Sequence, residues 1–218
     1  MKPISDVKII EYSEKIDRWN TISHLSGVVF AVIGIFPLIN KAQNTREIIS
    51  VTIYMISFFA VYLISSIYHA LPLGEKKRVA RRLDHSTIPL LIAGTATPCA
   101  MITLYNVSMH HAVLVMTLGW ACAIFGIISK LFFFEKLKKI TMAVYIVCGT
   151  IMLFSVIPII DKIDKEGFLG LVYGCIFYVV GAVLCGLGAK KPVLHVIFHF
   201  LVLIGSIVQY SVILKFVL

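Results

Sequence analysis

Seven long apolar stretches, each followed by a short polar segment, set the plan of the chain: Ile22–Asn40, Ile48–Leu71, Ser86–Tyr105, Ala112–Ser129, Ile140–Ile160, Phe168–Ala189 and Pro192–Leu214. None contains Asp, Glu, Lys or Arg. A helix needs about 20 apolar residues to cross the hydrocarbon core of a bilayer, and these stretches have that length. They are continuous, without the polar alternation of a barrel strand, so helices are predicted. Short connections make successive helices antiparallel. The expected fold class is all-α: an integral membrane bundle of seven transmembrane helices over residues 21–218, preceded by a polar segment over residues 1–20.

Within that plan three local features stand out. Ile9, Tyr12, Ile16 and Trp19 recur at spacings of three, four and three, which predicts a short helix lying in the cytoplasmic interface. Pro98 falls inside the third stretch and predicts a kink. Gly170 and Gly174 form a G-x-x-x-G pair in the sixth, which predicts close helix packing within the molecule rather than a dimer face.

Composition supports lipid as the solvent. The 218 residues are 59% hydrophobic and 14% charged, against about 25% charged in soluble domains. One core of this size cannot hide that much apolar surface. The net charge of +9 would suggest nucleic acid in a soluble chain. Here the charge lies in the segments between apolar stretches, so it speaks for topology and no nucleic-acid partner is expected. Fifteen of the 20 Lys and Arg fall on the side of the N-terminus, in 2–18, 76–82, 130–139 and 190–191. That asymmetry predicts a cytoplasmic N-terminus and, with seven spans, an external C-terminus. The basic loops would meet anionic headgroups, which makes membrane lipids the expected partners. The N-terminal residues lack an apolar h-region, so no cleavable signal peptide is expected. Cys99, Cys122, Cys148, Cys175 and Cys185 all lie in apolar stretches without a C-x-x-C pair, and no disulfide is expected.

Polar side chains in lipid are costly and mark function. His195 and His199 stand at i and i+4, on one helical face and roughly 5–6 Å apart. The pair could bind Zn²⁺ or hydrogen-bond to neighbouring helices; the Glu of an H-E-x-x-H motif is absent. The predicted topology brings His69, Asp84, His195 and His199 to the cytoplasmic end of the bundle, with Asp17, Asn20 and His24 nearby. The expected site is one zinc per chain held by His69, His195 and His199, with a fourth position left to water. Asp84 would act as general acid or base. Ser65, one turn before His69, could bond to a ligand, the water or a bound carbonyl. Imidazoles also suit iron, nickel or copper. Asp17, Asn20 and His24 could brace this site or cap the first helix. His110 and His111 are expected outside, in a solvated loop.

The motifs Ser65-Ser66-Ile67-Tyr68-His69, Arg82-Leu83-Asp84-His85-Ser86, Ile92 to Pro98 and His195-x-x-x-His199 resemble, in this order, those of the hemolysin III family. That family belongs to the larger group of progestin and adiponectin receptors. The resemblance runs from about Asp17 to the end of the last stretch. It implies a seven-helix bundle with the N-terminus inside, zinc on His69, His195 and His199, and Asp84 and Ser65 close by. Related receptors are linked to hydrolysis of ceramide-type amides, alkaline ceramidases share the polar pattern, and bacterial members are linked to membrane-lipid homeostasis and named for haemolysis. The implied location is the plasma (inner) membrane. One departure stands out: the family's first motif usually starts with Glu, where this chain has the shorter Asp17, with Glu14 as an alternative. Three functions follow as expectations: a metal-dependent hydrolase of a lipid amide or ester, a cytolytic or pore-forming protein, and a lipid sensor with a structural metal.

Overall fold

The computed structural model describes residues 7–154, 157–188 and 191–218. Lys2 and Lys190, two of the charges that predict the orientation, lie outside the described residues. The described residues form helices and no strand. They are α1 (Glu14–Lys41), α2 (Thr45–Ala70), α3 (Glu75–Pro98), α4 (Met109–Phe132), α5 (Lys138–Phe154), α6 (Ile160–Gly188) and α7 (Pro192–Val212). Among the described residues, six helical stretches are long and apolar enough to cross a membrane. The fifth of them, Lys138–Gly188, contains both α5 and α6.

Lipid-facing packing is visible in α1. Its buried residues are Asn20, Ser23, His24, Gly27, Ala31, Gly34 and Leu38, mostly small or polar. Its exposed residues include Ile22, Leu25, Val29, Val32, Ile33 and Phe36. Large apolar side chains outside and small or polar ones inside are what a bundle in hydrocarbon requires. The helix starts where Ser13, in extended conformation, accepts a hydrogen bond from the backbone N–H of Ile16. It then runs unbroken to Lys41. The short interfacial helix expected around Ile9–Trp19 is therefore not a separate element: Trp19 belongs to α1, while residues 8–13 are non-helical. A 3.6-residue pattern shared by the two segments could not reveal the cap between them.

The antiparallel order holds where contacts define it. At one end Lys41 donates to the carbonyl of Leu214 (2.7 Å) and Arg46 to Asn106 (2.9 Å). This gathers the C-terminal ends of α1, α3 and α7 with the start of α2. His110 and His111 are exposed at this end too, at the start of α4 rather than in a loop. The middle is packed by Tyr54, Phe58 and Tyr62 of α2, all fully buried. Tyr62 donates to the Ser206 hydroxyl (2.8 Å), and Tyr210 donates to the Gly34 carbonyl (2.8 Å), tying α7 to α1 and α2.

Pro98 disturbs α3 as a change of winding: the helix continues as π-helix over Cys99–Leu104 and a last turn, Tyr105–Val107. A ring nitrogen without a proton breaks the regular ladder, and wider winding re-satisfies it. Gly170 and Gly174 face α7 of the same molecule, since a Cβ on them would lie 2.5 Å from Val212 and from Gln209 respectively. One expectation is overturned. Cys122 of α4 and Cys148 of α5 are joined by a disulfide. Sequence spacing cannot anticipate this, because the pairing depends on which faces of two helices meet.

The candidate metal centre

The other end of the bundle collects the last turn of α2 and the first turns of α1, α3 and α7. Short connections alone place them there. His69, His195 and His199 each offer a ligand nitrogen, and these atoms all lie within 4.8 Å of one another. The Nε2 atoms of His195 and His199 are 3.1 Å apart, as the i, i+4 spacing predicts. Tetrahedral zinc with bonds of 2.0–2.1 Å needs nitrogens about 3.4 Å apart, so the cluster fits after a small closure. His69 and His199 are 2% exposed, and His69 Nε2 is buried without a hydrogen-bond partner. A buried imidazole nitrogen is not left unpaired without cost, and a metal ion would satisfy it.

The far side of His69 explains its orientation. Its Nδ1 lies 2.9 Å from Asp17 Oδ1 and 3.3 Å from the Asn20 amide. A carboxylate accepts, so Nδ1 carries the proton and Nε2 is left with its lone pair facing the cluster. Lys77, itself buried, donates to Asp17 Oδ2 (2.7 Å) and balances that charge. The shorter Asp17 thus reaches the site from α1, whereas Glu14 is exposed and accepts from Arg18 (3.1 Å). Asp17, Asn20 and His24 do not cap α1, because Ser13 does.

His24 is buried, with its ring 4.0 Å from that of His199 and neither nitrogen hydrogen-bonded. Asp84 accepts from His85 Nδ1 (3.2 Å) and is close enough for its charge to act on His24, His69 and His195. Ser65 is buried on α2, one turn before His69. Two neighbours escaped the sequence reading. Tyr12 stacks on His195 (ring centres 5.2 Å apart) from the non-helical segment before α1; burial raises its phenol pKa, which keeps the ring neutral. Cys185 of α6 lies 3.8 Å from His195 Nδ1. Neither carried a signal, since one lay in an apparent helical pattern and the other among ordinary apolar residues.

Apolar outward faces with a cluster of three imidazoles, two of them buried and one part-buried, define the class: a multi-pass integral membrane protein with a candidate metal centre. Residues 12–210 match the model of the Haemolysin-III related family. The chain is 33% identical to Hemolysin-3 of Bacillus cereus over 202 residues, 91% of this chain and 90% of that protein. It is 33% identical to the Hemolysin-3 homolog of Bacillus subtilis (strain 168), over 89% of this chain and 91% of that protein. Similarity extends to the human monocyte to macrophage differentiation factor, 23% identical over 90% of this chain and 82% of that protein. The chain belongs to the Haemolysin-III related family.

Proposed function

We propose that this protein is a zinc-dependent hydrolase acting on the amide or ester bond of a membrane lipid, with His69, His195 and His199 as ligands. The observation that carries the reading is the three converging imidazoles, His69 and His199 buried and His195 part-buried, with His69 held by a carboxylate from behind. No fourth protein ligand belongs to the cluster among the described residues, and a ligand set of three with an open position is the catalytic pattern. Bound there, zinc would supply a Lewis acid that polarises a carbonyl and acidifies water.

The chain's own residues do the rest. Asp17 and Asn20 fix the His69 ring. Asp84 takes and returns the proton at its carboxylate, and Ser65 donates to the substrate carbonyl. Tyr12 and the helices around it restrict water. A site within the bundle favours a substrate that arrives from the bilayer.

The same proposal includes seven spans, a cytoplasmic N-terminus, an external C-terminus and a plasma-membrane location. At about 1.5 Å per residue, a straight helix over Lys138–Gly188 would be about 77 Å long, more than twice the ~30 Å core. Asp164 interrupts it with φ 57° and ψ 162°, outside helical geometry. A turn near Asp164 would make α5 and α6 separate spans.

The test is metal content of detergent-purified protein, followed by a screen of lipid classes for turnover. Wild type should hold about one zinc per chain, and His199→Ala far less. Asp84→Asn should keep the metal and lose turnover. Full zinc with every lipid class unchanged would end the hydrolase reading. The haemolysin names of the two Bacillus relatives support a second reading, membrane lysis. Liposome leakage that persists in His69→Ala and His199→Ala would favour it.

A further inference from the structure

Among the described residues, three buried cations at the histidine-bearing end have no ion-pair partner. Arg81 and Arg82 on α3 and Lys130 on α4 are 5%, 8% and 5% exposed. Among the described residues, ion pairs join Arg18 to Glu14, His69 and Lys77 to Asp17, and His85 to Asp84. None includes these three cations, whose side chains also make no hydrogen bond there. Arg82 Nε is buried and unpartnered.

What Arg81 and Lys130 share is one aromatic ring. The guanidinium and the ammonium lie 5.5 and 5.4 Å from the centre of Phe134. His85 packs on the same ring at 5.1 Å, and Arg82 stands one turn before His85 on that face of α3. Lys138 adds further positive charge beside Lys130. Glu135 acts on Lys130 in the opposite sense without reaching ion-pair distance, and Asp84 is engaged by His85.

An aromatic face attracts a cation but does not cancel its charge. Like charges crowded in a desolvated place repel, and an anion between them would offset that repulsion. Two guanidinium forks and an ammonium suit the oxygens of a phosphate. This basic end is where headgroups of anionic lipids would lie.

We propose that Arg81, Arg82 and Lys130 form a binding site for the phosphate group of an anionic lipid, between α3 and α4. The site adjoins the histidine cluster: the charge of Arg81 acts on Tyr12 and Cys185, which both border His195. A lipid anchored here lies beside that cluster. The binding does not depend on hydrolysis, so it stands or falls separately from the catalytic reading.

Full-length protein in neutral detergent tests it, with thermal unfolding and native mass spectrometry as readouts. The probes are phosphatidylglycerol, diacylglycerol with the same acyl chains, and millimolar inorganic phosphate. Phosphatidylglycerol should raise the unfolding temperature and be retained at one per chain, and diacylglycerol should do neither. Inorganic phosphate that stabilises equally, and loses its effect in the same variants, supports the phosphate site and gives it a soluble source. Arg82→Gln and Lys130→Gln should each weaken binding at least tenfold. Lys130→Arg should retain it, and Lys76→Gln, an exposed control, should leave it unchanged. If a neutral variant does not fold, the lipid discrimination of wild type and Lys130→Arg decides. Equal responses to the two lipids, or equal losses from Lys76→Gln, would overturn the proposal.

Discussion

Asp17 shows how one side chain sets the direction of another. It holds the protonated nitrogen of His69, so the lone pair of the other nitrogen faces His195 and His199. Partners of this kind typically support metal affinity by 10–100-fold. Asp17→Asn should therefore lower affinity by about that factor in a chelator competition, and Asp17→Glu should recover part of it. Glu14→Gln, at an exposed position, should bind like wild type. Equal affinity in Asp17→Asn would show that the carboxylate does not hold the ring. The three histidines were legible because paired imidazoles in apolar stretches are unusual and the Lys and Arg asymmetry put them at one end. The reach of Asp17 was not, because α1 had to pass close to α2 for the shorter carboxylate to suffice. Tyr12 was read on the wrong element, since nothing in a hydrophobic period announces a cap at Ser13.

Between helices, the close approaches are made by glycine. A Cβ at Gly174 would lie 2.5–2.9 Å from three atoms of the Gln209 side chain, which donates to the Leu171 carbonyl. Gly149 on α5 has nothing within 4 Å of the same position. Gly174→Ala should thus cost about 1–3 kcal/mol by overpacking. Gly149→Ala should be neutral or stabilise by up to ~1 kcal/mol, through helix propensity. Thermal unfolding in detergent compares the two; similar shifts would mean that α6 and α7 do not pack through Gly174. The G-x-x-x-G spacing made this contact readable. The Cys122–Cys148 bond was not, because neither cysteine sits in a motif and the facing of α4 and α5 is a tertiary outcome. The helix from Glu75 to Val107 shows the same limit: Pro98 signals disturbance, but not that it resolves as π winding.

Seen whole, the molecule concentrates its cations at the end that holds the histidines. The proposed topology then makes two measurable statements. Single cysteines placed at 76–82 should be labelled by impermeant reagents only after the membrane is opened, and those at 161–166 should be labelled in intact cells. External labelling at 76–82 would reverse the orientation. Labelling of both regions from the same side would mean that α5 does not cross the membrane as proposed. Helical content and membrane class were plain from run length and the absence of charge. The number of spans was harder to fix, because α5 and α6 follow one another in one long helical stretch whose departure from helical geometry among the described residues is local, at Asp164 and in the 3-10 turn Ile157–Ile159.

The two ends of the chain meet at one place: His24 of α1 packs against His199 of α7, ring centre to ring centre at 4.0 Å. About 175 residues separate them, a gap that takes roughly 10–35 s to translate at 5–20 residues per second. Until the last helix threads into the bilayer, the nascent chain would carry only His69 of the three proposed ligands. Metal capture would then mark completed biogenesis, and any chain truncated before α7 would leave the ribosome unable to acquire its ion.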